Sequence, residues 1–324
     1  MSVIFVTGGA GFIGSEFVRQ AVNELADERV VVFDALTYAG SLDNLEGVDA
    51  SRYSFVEGDI CDRDAVLQAM PSGCDAVFNF AAETHVDRSI KSANEFVRTN
   101  VLGAQVLLDV ARERGAGRFI QISTDEVTGN VPEGSAPFDE NSPTKPNSPY
   151  AASKAAAEMM VRAAVRTHGL DAVITRSGNN YGPRQYPEKL IPLMISHALR
   201  DEPLPVYGDG LYRRDWVHVE DNCRAIRLAF EQGRTAEIYS VGARNERTNL
   251  EVVKAVLDIL EKPHSLIRHT ADRPGHDRRY ATDPSKAEAE LGWQAEVEWE
   301  AGLKKTVAWY LENRSRLDAA SESG

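Results

Sequence analysis

The stretch VIFVTGGAGFIGS (residues 3–15) decides the fold. It opens with five residues that are apolar, β-branched or both and show no in–out alternation, the pattern of a strand buried on both faces. Glycines then take over: Gly9 to Gly14 fit G-x-G-x-x-G, and Gly8, Gly11 and Gly14 fit a second, wider spacing. Glycines so placed let a turning backbone approach a pyrophosphate, whose charge rests on the N-terminus of the following helix. Asp34 lies 20 residues beyond Gly14, at the end of the next strand-like run, where an acid would hold the ribose hydroxyls of an adenosine. A carboxylate there repels a 2′-phosphate and no arginine follows at once, so the expected cofactor is NAD rather than NADP.

Working outward, VVVFDA (30–35), YSFVEG (53–58), DAVFNF (75–80), RFIQIS (118–123) and DAVITR (171–176) repeat the buried-strand character of residues 3–8. Helical spacing fills the intervals over 15–25, 63–70, 104–114 and 150–168. This alternation predicts a Rossmann doubly wound parallel sheet that binds NAD and carries the catalytic residues, over residues 1–176. Beyond it the character changes. RSGNNYGPRQYPEKLIP (176–192), with two glycines and three prolines, reads as an ordered binding loop. A helix over 220–231, a strand-like AEIYSVG (236–242), a helix over 249–260, a charged loop over 268–283 and terminal helical patterns follow. Residues 177–324 are therefore expected to form a smaller C-terminal α/β domain that mainly binds substrate, with some segments returning to the first domain. The polar tail over 315–324 is expected to fray.

The net charge of −13 repels a phosphate backbone, which argues against nucleic acid as a partner. Any anionic ligand must therefore meet a local cluster of donors. Cys61, Cys74 and Cys223 form no CxxC pair, so neither a disulfide framework nor a metal site is expected. The N-terminus lacks a basic region ahead of its short apolar run, and no apolar stretch reaches the ~18–20 residues that span a bilayer. The expectation is a cytoplasmic protein with no membrane partner.

Two motifs carry chemistry. In STDEVTG (123–129) the carboxyls of Asp125 and Glu126 sit side by side behind two hydroxyls, at the carboxyl end of an inner strand that faces the ligand crevice of such folds. Adjacent, partly buried carboxyls resist double ionisation, so one keeps a proton at neutral pH; the residues alone do not say which. In NSPYAASKAAAEMM (147–160), Ser148 suits an N-cap and Pro149 a first helical position. Tyr150 and Lys154 then share one helix face. A phenol with a pKa near ~10 is a poor base at neutral pH, and a neighbouring ammonium, helped by a positive nicotinamide ring, is expected to lower it. Asp59, at the end of the third strand-like run, reads either as an acceptor for an adenine amino group or as a plain turn aspartate.

TGGAGFIG, YAASK, NNYGPRQYPEKLIP (179–192) and YGDGLYRRDWVHVED (207–221) together resemble the extended short-chain dehydrogenase/reductase family over almost the whole chain. DALTYAGSLDNL (34–45), NFAAETHVDRSI (79–90), STDEV and DRPGHDRRYATD (272–283) are similar to its dTDP-glucose 4,6-dehydratase branch. The resemblance implies a lyase that dehydrates a nucleotide-activated hexose. Tyr150, assisted by Lys154, would deprotonate the sugar 4-hydroxyl while NAD takes the C4 hydride. Glu126 would remove the C5 proton, Asp125 would protonate the departing C6 hydroxyl, and the hydride would return to C6. Thr124 would hydrogen-bond the C4 oxygen.

The resemblance also implies a cofactor site from Gly8, Gly11, Phe12, Ile13, Gly14, Asp34, Ala35, Leu36, Thr37, Tyr38, Gly40, Asp59, Ile60, Phe80, Ala81, Ala82, Glu83 and Thr99, with Tyr150, Lys154 and Asn179. For the sugar nucleotide it implies Thr84, His85, Thr124, Asn179, Lys189, Leu190, Arg214, Asn249, Arg273, His276 and Tyr280, with Pro205 and Tyr207 near the base. A homodimer built through two long helices per subunit belongs to the same expectation. Thr128 stands where the family pattern has tyrosine, Gly178 where it has serine or cysteine, and a tryptophan pair after WYLEN (309–313) is missing. A nucleotide-sugar 4-epimerase would share NAD, Tyr150 and Lys154 but has no need of the Asp-Glu pair. A non-catalytic NAD sensor has no need of any of the four side chains.

Overall fold

The computed structural model describes residues 2–24 and 28–318. Leu25, the last residue of the first expected helix, lies outside the described residues, as do residues 319–324 of the polar tail. The strands read from the sequence form as β1 (Ser2–Thr7), β2 (Glu28–Asp34), β3 (Tyr53–Glu57), β4 (Ala76–Asn79), β5 (Arg118–Thr124) and β6 (Ala172–Ser177). Further strands follow: β7 (Asn179–Tyr181), β8 (Leu204–Tyr207), β9 (Arg213–His218), β10 (Ile238–Val241), β11 (Glu246–Thr248) and β12 (Ile267–Thr270). The main sheet has the order β3-β2-β1-β4-β5-β6-β10, and every pairing in it is parallel.

Successive side chains of a strand point to opposite faces, and here both faces are covered. Ile4, Val6, Val30 and Val32 pack with Phe17, Val18 and Ile226 on one side. Phe5, Val31 and Phe33 pack with Leu107, Phe119 and Val161 on the other. That double burial explains why these strands are continuous apolar runs in the sequence. The strand order reverses between β1 and β4, and the crevice beyond their carboxyl ends is where such sheets take ligands.

β10 follows residue 176 in the chain yet completes the main sheet beside β6, and the helix Val219–Gln232 packs on that sheet through Ile226 and Ala229. A separate core joins Tyr181, Ile191, Trp216, Val253, Trp299 and Tyr310, around the small sheet β11-β9-β7 and the helices Leu190–Leu199, Asn249–Ile259 and Trp299–Glu312.

Three expectations need correction. The first helix begins at Phe12 rather than Ser15, because the amide of Ser15 donates to the carbonyl of Gly11 at 3.0 Å and makes the glycine motif itself the first turn. The loop expected over 268–283 opens with β12, paired in parallel with β8. The tail starts with a short helix, Ser315–Asp318, whose Leu317 is buried in the second core. The sequence reading also missed the π-helical segment Val97–Gly103, a form common near functional sites.

Candidate active site

The glycine turn is shaped by close approach. Gly8 adopts φ 68°, and a Cβ there would stand 2.5 Å from the amide nitrogen of Ala81. A Cβ on Gly14 would stand 2.1 Å from the carbonyl oxygen of Gly8. Only glycine lets the β1 turn, the helix start and the loop after β4 nest this tightly, and the nest leaves backbone amides at a helix N-terminus for an anion. Asp34, at the end of β2, accepts from the amides of Ala10 and Leu36, both at 2.9 Å. Burial raises its pKa and those two amides oppose the rise. Each carboxylate oxygen keeps lone-pair capacity for a ribose hydroxyl. Leu36 holds a left-handed φ of 47°, local strain of the kind that collects at ligand sites. Glycine cradle, helix start and terminal acid together fit a dinucleotide.

The other residues expected at the cofactor frame this crevice unequally. Gly11, Phe12, Ile13, Gly40, Phe80, Ala81, Ala82, Glu83 and Thr99 are half-buried, and Ala35 and Thr37 are exposed. Ile60 is buried against the position a Cβ of Gly103 would take, so only its backbone can meet a ligand. Asp59 accepts from the amide of Cys61 at 2.8 Å and pairs with Arg98 at 2.6 Å.

At the end of β5 the chain enters a tight turn, Asp125–Thr128, capped by Thr124, whose hydroxyl accepts from the amide of Glu126 at 3.3 Å. The same hydroxyl donates to Asp125 Oδ1 at 3.3 Å, and Thr282 donates to Oδ2 at 3.4 Å. Burial, then the charges of Glu126 and Asp215, push the carboxyl of Asp125 up to about 8, against the opposing pull of Arg214. Burial also raises Glu126, but three cations oppose it: Arg214, Arg273 and Lys189. Cations thus gather on Glu126 while Asp125 meets a further carboxyl in Asp215, an environment that favours the shared proton on Asp125.

Tyr150 and Lys154 lie on the helix Pro149–His168, whose cap is Ser148 as expected, accepting from the amide of Ala151 at 3.1 Å. Their electrostatics differ from expectation. Burial and the neighbouring carboxyl groups of Glu126 and Asp125 hold the phenol of Tyr150 well above its ordinary range, with the hydroxyl of Thr124 opposing them. Lys154 does not point its charge at the phenol; its Nζ donates to the carbonyl of Ile122 at 2.6 Å. Burial lowers the ammonium to about 8, with Glu158 opposing. Glu158 in turn makes a buried bidentate pair with Arg176, at 3.0 and 2.7 Å, and accepts from Ser123 at 2.6 Å. The i, i+4 spacing correctly put both side chains on one face, but the strand in front of the helix supplies the nearest acceptor for the ammonium.

The residues expected at the sugar nucleotide converge from several elements. Arg214 is buried, lies 4.4 Å from the ring centre of Tyr280, and donates to the carbonyl of Asp277 at 2.9 Å. Arg273 donates to Asp87 at 3.2 Å, and Tyr207 donates to the other oxygen of Asp87 at 3.1 Å. His276 stacks on Tyr212 at 3.8 Å. Lys189 donates to the carbonyl of Thr84 at 3.1 Å and pairs with Glu188 at 3.1 Å. His85 caps the helix Val86–Lys91, accepting from the amide of Arg88, and its other nitrogen lies 3.4 Å from Glu188. Tyr38 reaches Glu188 and Thr84. Asn179 starts β7, Pro205 lies in β8, Leu190 and Asn249 begin helices, and Asn179, Leu190, Pro205 and Asn249 are half-buried.

The sequence reading missed the acids that organise these cations. Asp277 is buried and accepts from Asn147 at 2.7 Å and Tyr280 at 2.6 Å. Asp87 and Glu188 pair with Arg273 and Lys189, whereas Asp215 acts on Asp125, whose pKa its charge raises. Only Asp277 carried a local signal, its i, i+3 relation to Tyr280. Asn100, in the π-helical segment, clasps both backbone groups of Glu83 and donates to Ser153 at 2.8 Å. Among the described residues no group of His, Cys, Asp or Glu is arranged to hold a metal ion.

A family model described as GDP-mannose 4,6 dehydratase matches residues 5–306. A dTDP-glucose 4,6-dehydratase of Streptomyces niveus is 51% identical over 317 residues, covering 96% of this chain and 94% of the relative. The crystal structure of DesIV, a dTDP-glucose 4,6-dehydratase of Streptomyces venezuelae with NAD and dTDP bound, is similar with a TM-score of 0.93 and 50% identity, covering 97% of this chain and 98% of that one. The UDP-glucose 4-epimerase of Thermotoga maritima, solved with UDP-glucose, has a TM-score of 0.89 at 31% identity, covering 96% and 99%.

Proposed function

The chain belongs to the GDP-mannose 4,6 dehydratase family and is about half identical to its dTDP-glucose 4,6-dehydratases, and from that membership we propose that it is an NAD-dependent lyase that converts dTDP-glucose to dTDP-4-keto-6-deoxyglucose. The observation that carries this reading is the pair of adjacent carboxyls at the end of β5 in unlike surroundings, Asp125 beside Asp215 and Glu126 beside Arg214, Arg273 and Lys189. Elimination of water needs one acid and one base, and an environment that separates the two assigns them. The epimerase of the same fold is similar at 31% identity, the dehydratases at about 50%.

NAD, when bound, supplies hydride acceptance at C4, its return to C6, and a positive charge beside the phenol. Gly8, Gly11 and Gly14 hold its pyrophosphate and Asp34 its ribose. Tyr150 takes the proton of the 4-hydroxyl, assisted by the positive charge of Lys154, whose ammonium is held on the Ile122 carbonyl of β5. Thr124 donates to the C4 oxygen. The ketone acidifies C5, Glu126 removes the C5 proton, and Asp125 gives its proton to the leaving 6-hydroxyl. Lys189, Arg214 and Arg273 neutralise the diphosphate, where guanidinium can grip phosphate with two donors. Thr128 is buried and donates to the carbonyl of Asp125 at 2.7 Å, so it braces the acid turn where the family pattern has an aromatic wall.

Residues 1–176 form the cofactor half in this reading, and 177–324 mainly the sugar-nucleotide half, with β10 returned to the first. The protein acts in the cytoplasm as a homodimer through the helices Ala104–Arg114 and Pro149–His168; exposed Met159 on the latter, and Val97 and Leu102 just before the former, support that face. Among the described residues no helix is long and apolar enough to cross a membrane.

The reading is tested by incubation with dTDP-, UDP-, GDP- and CDP-glucose and UDP-N-acetylglucosamine, scoring the alkaline absorbance of a 4-keto-6-deoxy product. Product from dTDP-glucose alone is the expected result; turnover of another nucleotide sugar in preference to it overturns the substrate. Asp34→Ala removes two charge-assisted acceptors and is expected to weaken NAD about 10- to 100-fold by calorimetry. Asp125 must be protonated and Lys154 charged, and both titrate at about 8. Both groups lose the required proton as pH rises through that value, so product formation falls on the alkaline side with a limb steeper than one proton. A flat alkaline profile would contradict the assignment.

A further inference from the structure

Asp87 ties together segments that are far apart in the chain. It stands in the first turn of the helix Val86–Lys91, soon after β4. Its partners come from the second half: Tyr207 ends β8, and Arg273 follows β12, the strand that pairs with β8. Asp87 Oδ1 accepts from Nη1 of Arg273 at 3.2 Å, and Oδ2 accepts from the hydroxyl of Tyr207 at 3.1 Å. The backbone of Arg273 is fixed separately, because its amide donates to Asp272 at 2.9 Å.

A guanidinium carries five donors in a rigid fork, and the edge formed by Nε and Nη2 suits an oxyanion. Elsewhere in this protein that edge grips carboxylates, as in Arg176 on Glu158 and Arg279 on Glu246. Arg273 differs. Asp87 holds it by Nη1, and its Nε is buried without a hydrogen-bond partner among the described residues. A buried donor left unpaired is costly, and an acceptor that arrives with a ligand removes the cost.

We infer that Asp87 is a positioning residue for the sugar nucleotide: by holding Arg273 at Nη1 it presents the Nε–Nη2 edge to the diphosphate as a two-donor grip. The hydroxyl of Tyr207 keeps the carboxylate from turning, which links the base end of the site to its phosphate end. The inference rests on the functional reading above. Charge alone argues for the reverse effect, since an acid beside the phosphates repels them. The side chains of Arg273 and Asp87 are 24% and 32% exposed, however, so solvent screens that repulsion. The fork geometry is short-ranged and is not screened away. A pair this open to solvent also adds little to folding stability, so its removal leaves the fold in place.

The test measures dTDP binding to the NAD-loaded enzyme by calorimetry, for the unsubstituted chain, Asp87→Asn, Arg273→Lys and the double variant. Asparagine keeps the size of the side chain but loses the charge that anchors Nη1, and dTDP is expected to bind about 10- to 100-fold more weakly. The KM for dTDP-glucose should rise by a similar factor while kcat stays within about threefold, the mark of lost uniform binding. In the Arg273→Lys background no fork remains to be oriented, and adding Asp87→Asn should weaken dTDP by less than about threefold. Tighter dTDP binding by Asp87→Asn would show an acid that competes with the diphosphate for Arg273. An undiminished loss in the Arg273→Lys background, or a fall in NAD content and melting temperature, would show a general structural role. Each of these overturns the inference alone. An unsubstituted enzyme that binds no dTDP overturns the functional reading and the inference with it.

Discussion

Glu126→Gln should still oxidise the sugar at C4 but fail to lose water. The substitution keeps the shape of the side chain and removes its basicity, and general-base catalysis is worth about 10²–10⁴-fold. Rapid mixing with dTDP-glucose should therefore show reduced-nicotinamide absorbance rising to about one per site and staying there, with 4-keto-6-deoxy product slowed by that factor. The isosteric change also removes a charge that raises both Asp125 and Tyr150. C4 oxidation should for that reason be no slower than in the unsubstituted enzyme. Product at the normal rate would remove Glu126 from the mechanism.

Tyr150→Phe should act one step earlier. The phenol is the proton acceptor for the 4-hydroxyl, so its loss should slow C4 oxidation itself by about 10²–10⁴-fold. Neither the absorbance transient nor the product should then appear on the time scale of the Glu126 variant. The ring is packed edge-on against Phe96 at 6.4 Å, so phenylalanine keeps the packing and the fold. Calorimetric affinity for NAD should change little, which separates a chemical defect from a lost cofactor site. Two variants arrested at different bonds of one sugar would distinguish dehydration from epimerisation.

The strands of the main sheet were legible because both faces of each are buried, and that leaves continuous apolar runs. The glycine turn was legible because close backbone approach permits no other residue at Gly8 and Gly14. The start of the first helix was not, since the same glycines serve as its first turn, a role that helical propensity disfavours. Strands β7, β8, β9, β11 and β12 were missed: each is either very short or interrupted by polar residues, and each is paired with a partner far along the chain. The cations expected at the sugar nucleotide converge near Glu126, whereas Asp87, Glu188 and Asp277, which hold them, gave almost no signal. An acid in a loop reads as solvated until the loop is seen to fold over it.

By itself the sequence determined the parallel sheet, the dinucleotide cradle, the helix face shared by Tyr150 and Lys154, and the presence of two carboxyls where one must stay protonated. Tertiary structure supplied the charges that bear on this: Arg214 acts on both carboxyls, Arg273 and Lys189 act on Glu126, and Asp215 acts on Asp125. It also turned the ammonium of Lys154 onto the Ile122 carbonyl, 32 residues away in the chain, instead of onto the phenol four residues before it. Covalent spacing fixes which face a side chain occupies. Protonation depends on dielectric and on charges brought near by folding, and those come from residues that no local pattern places together.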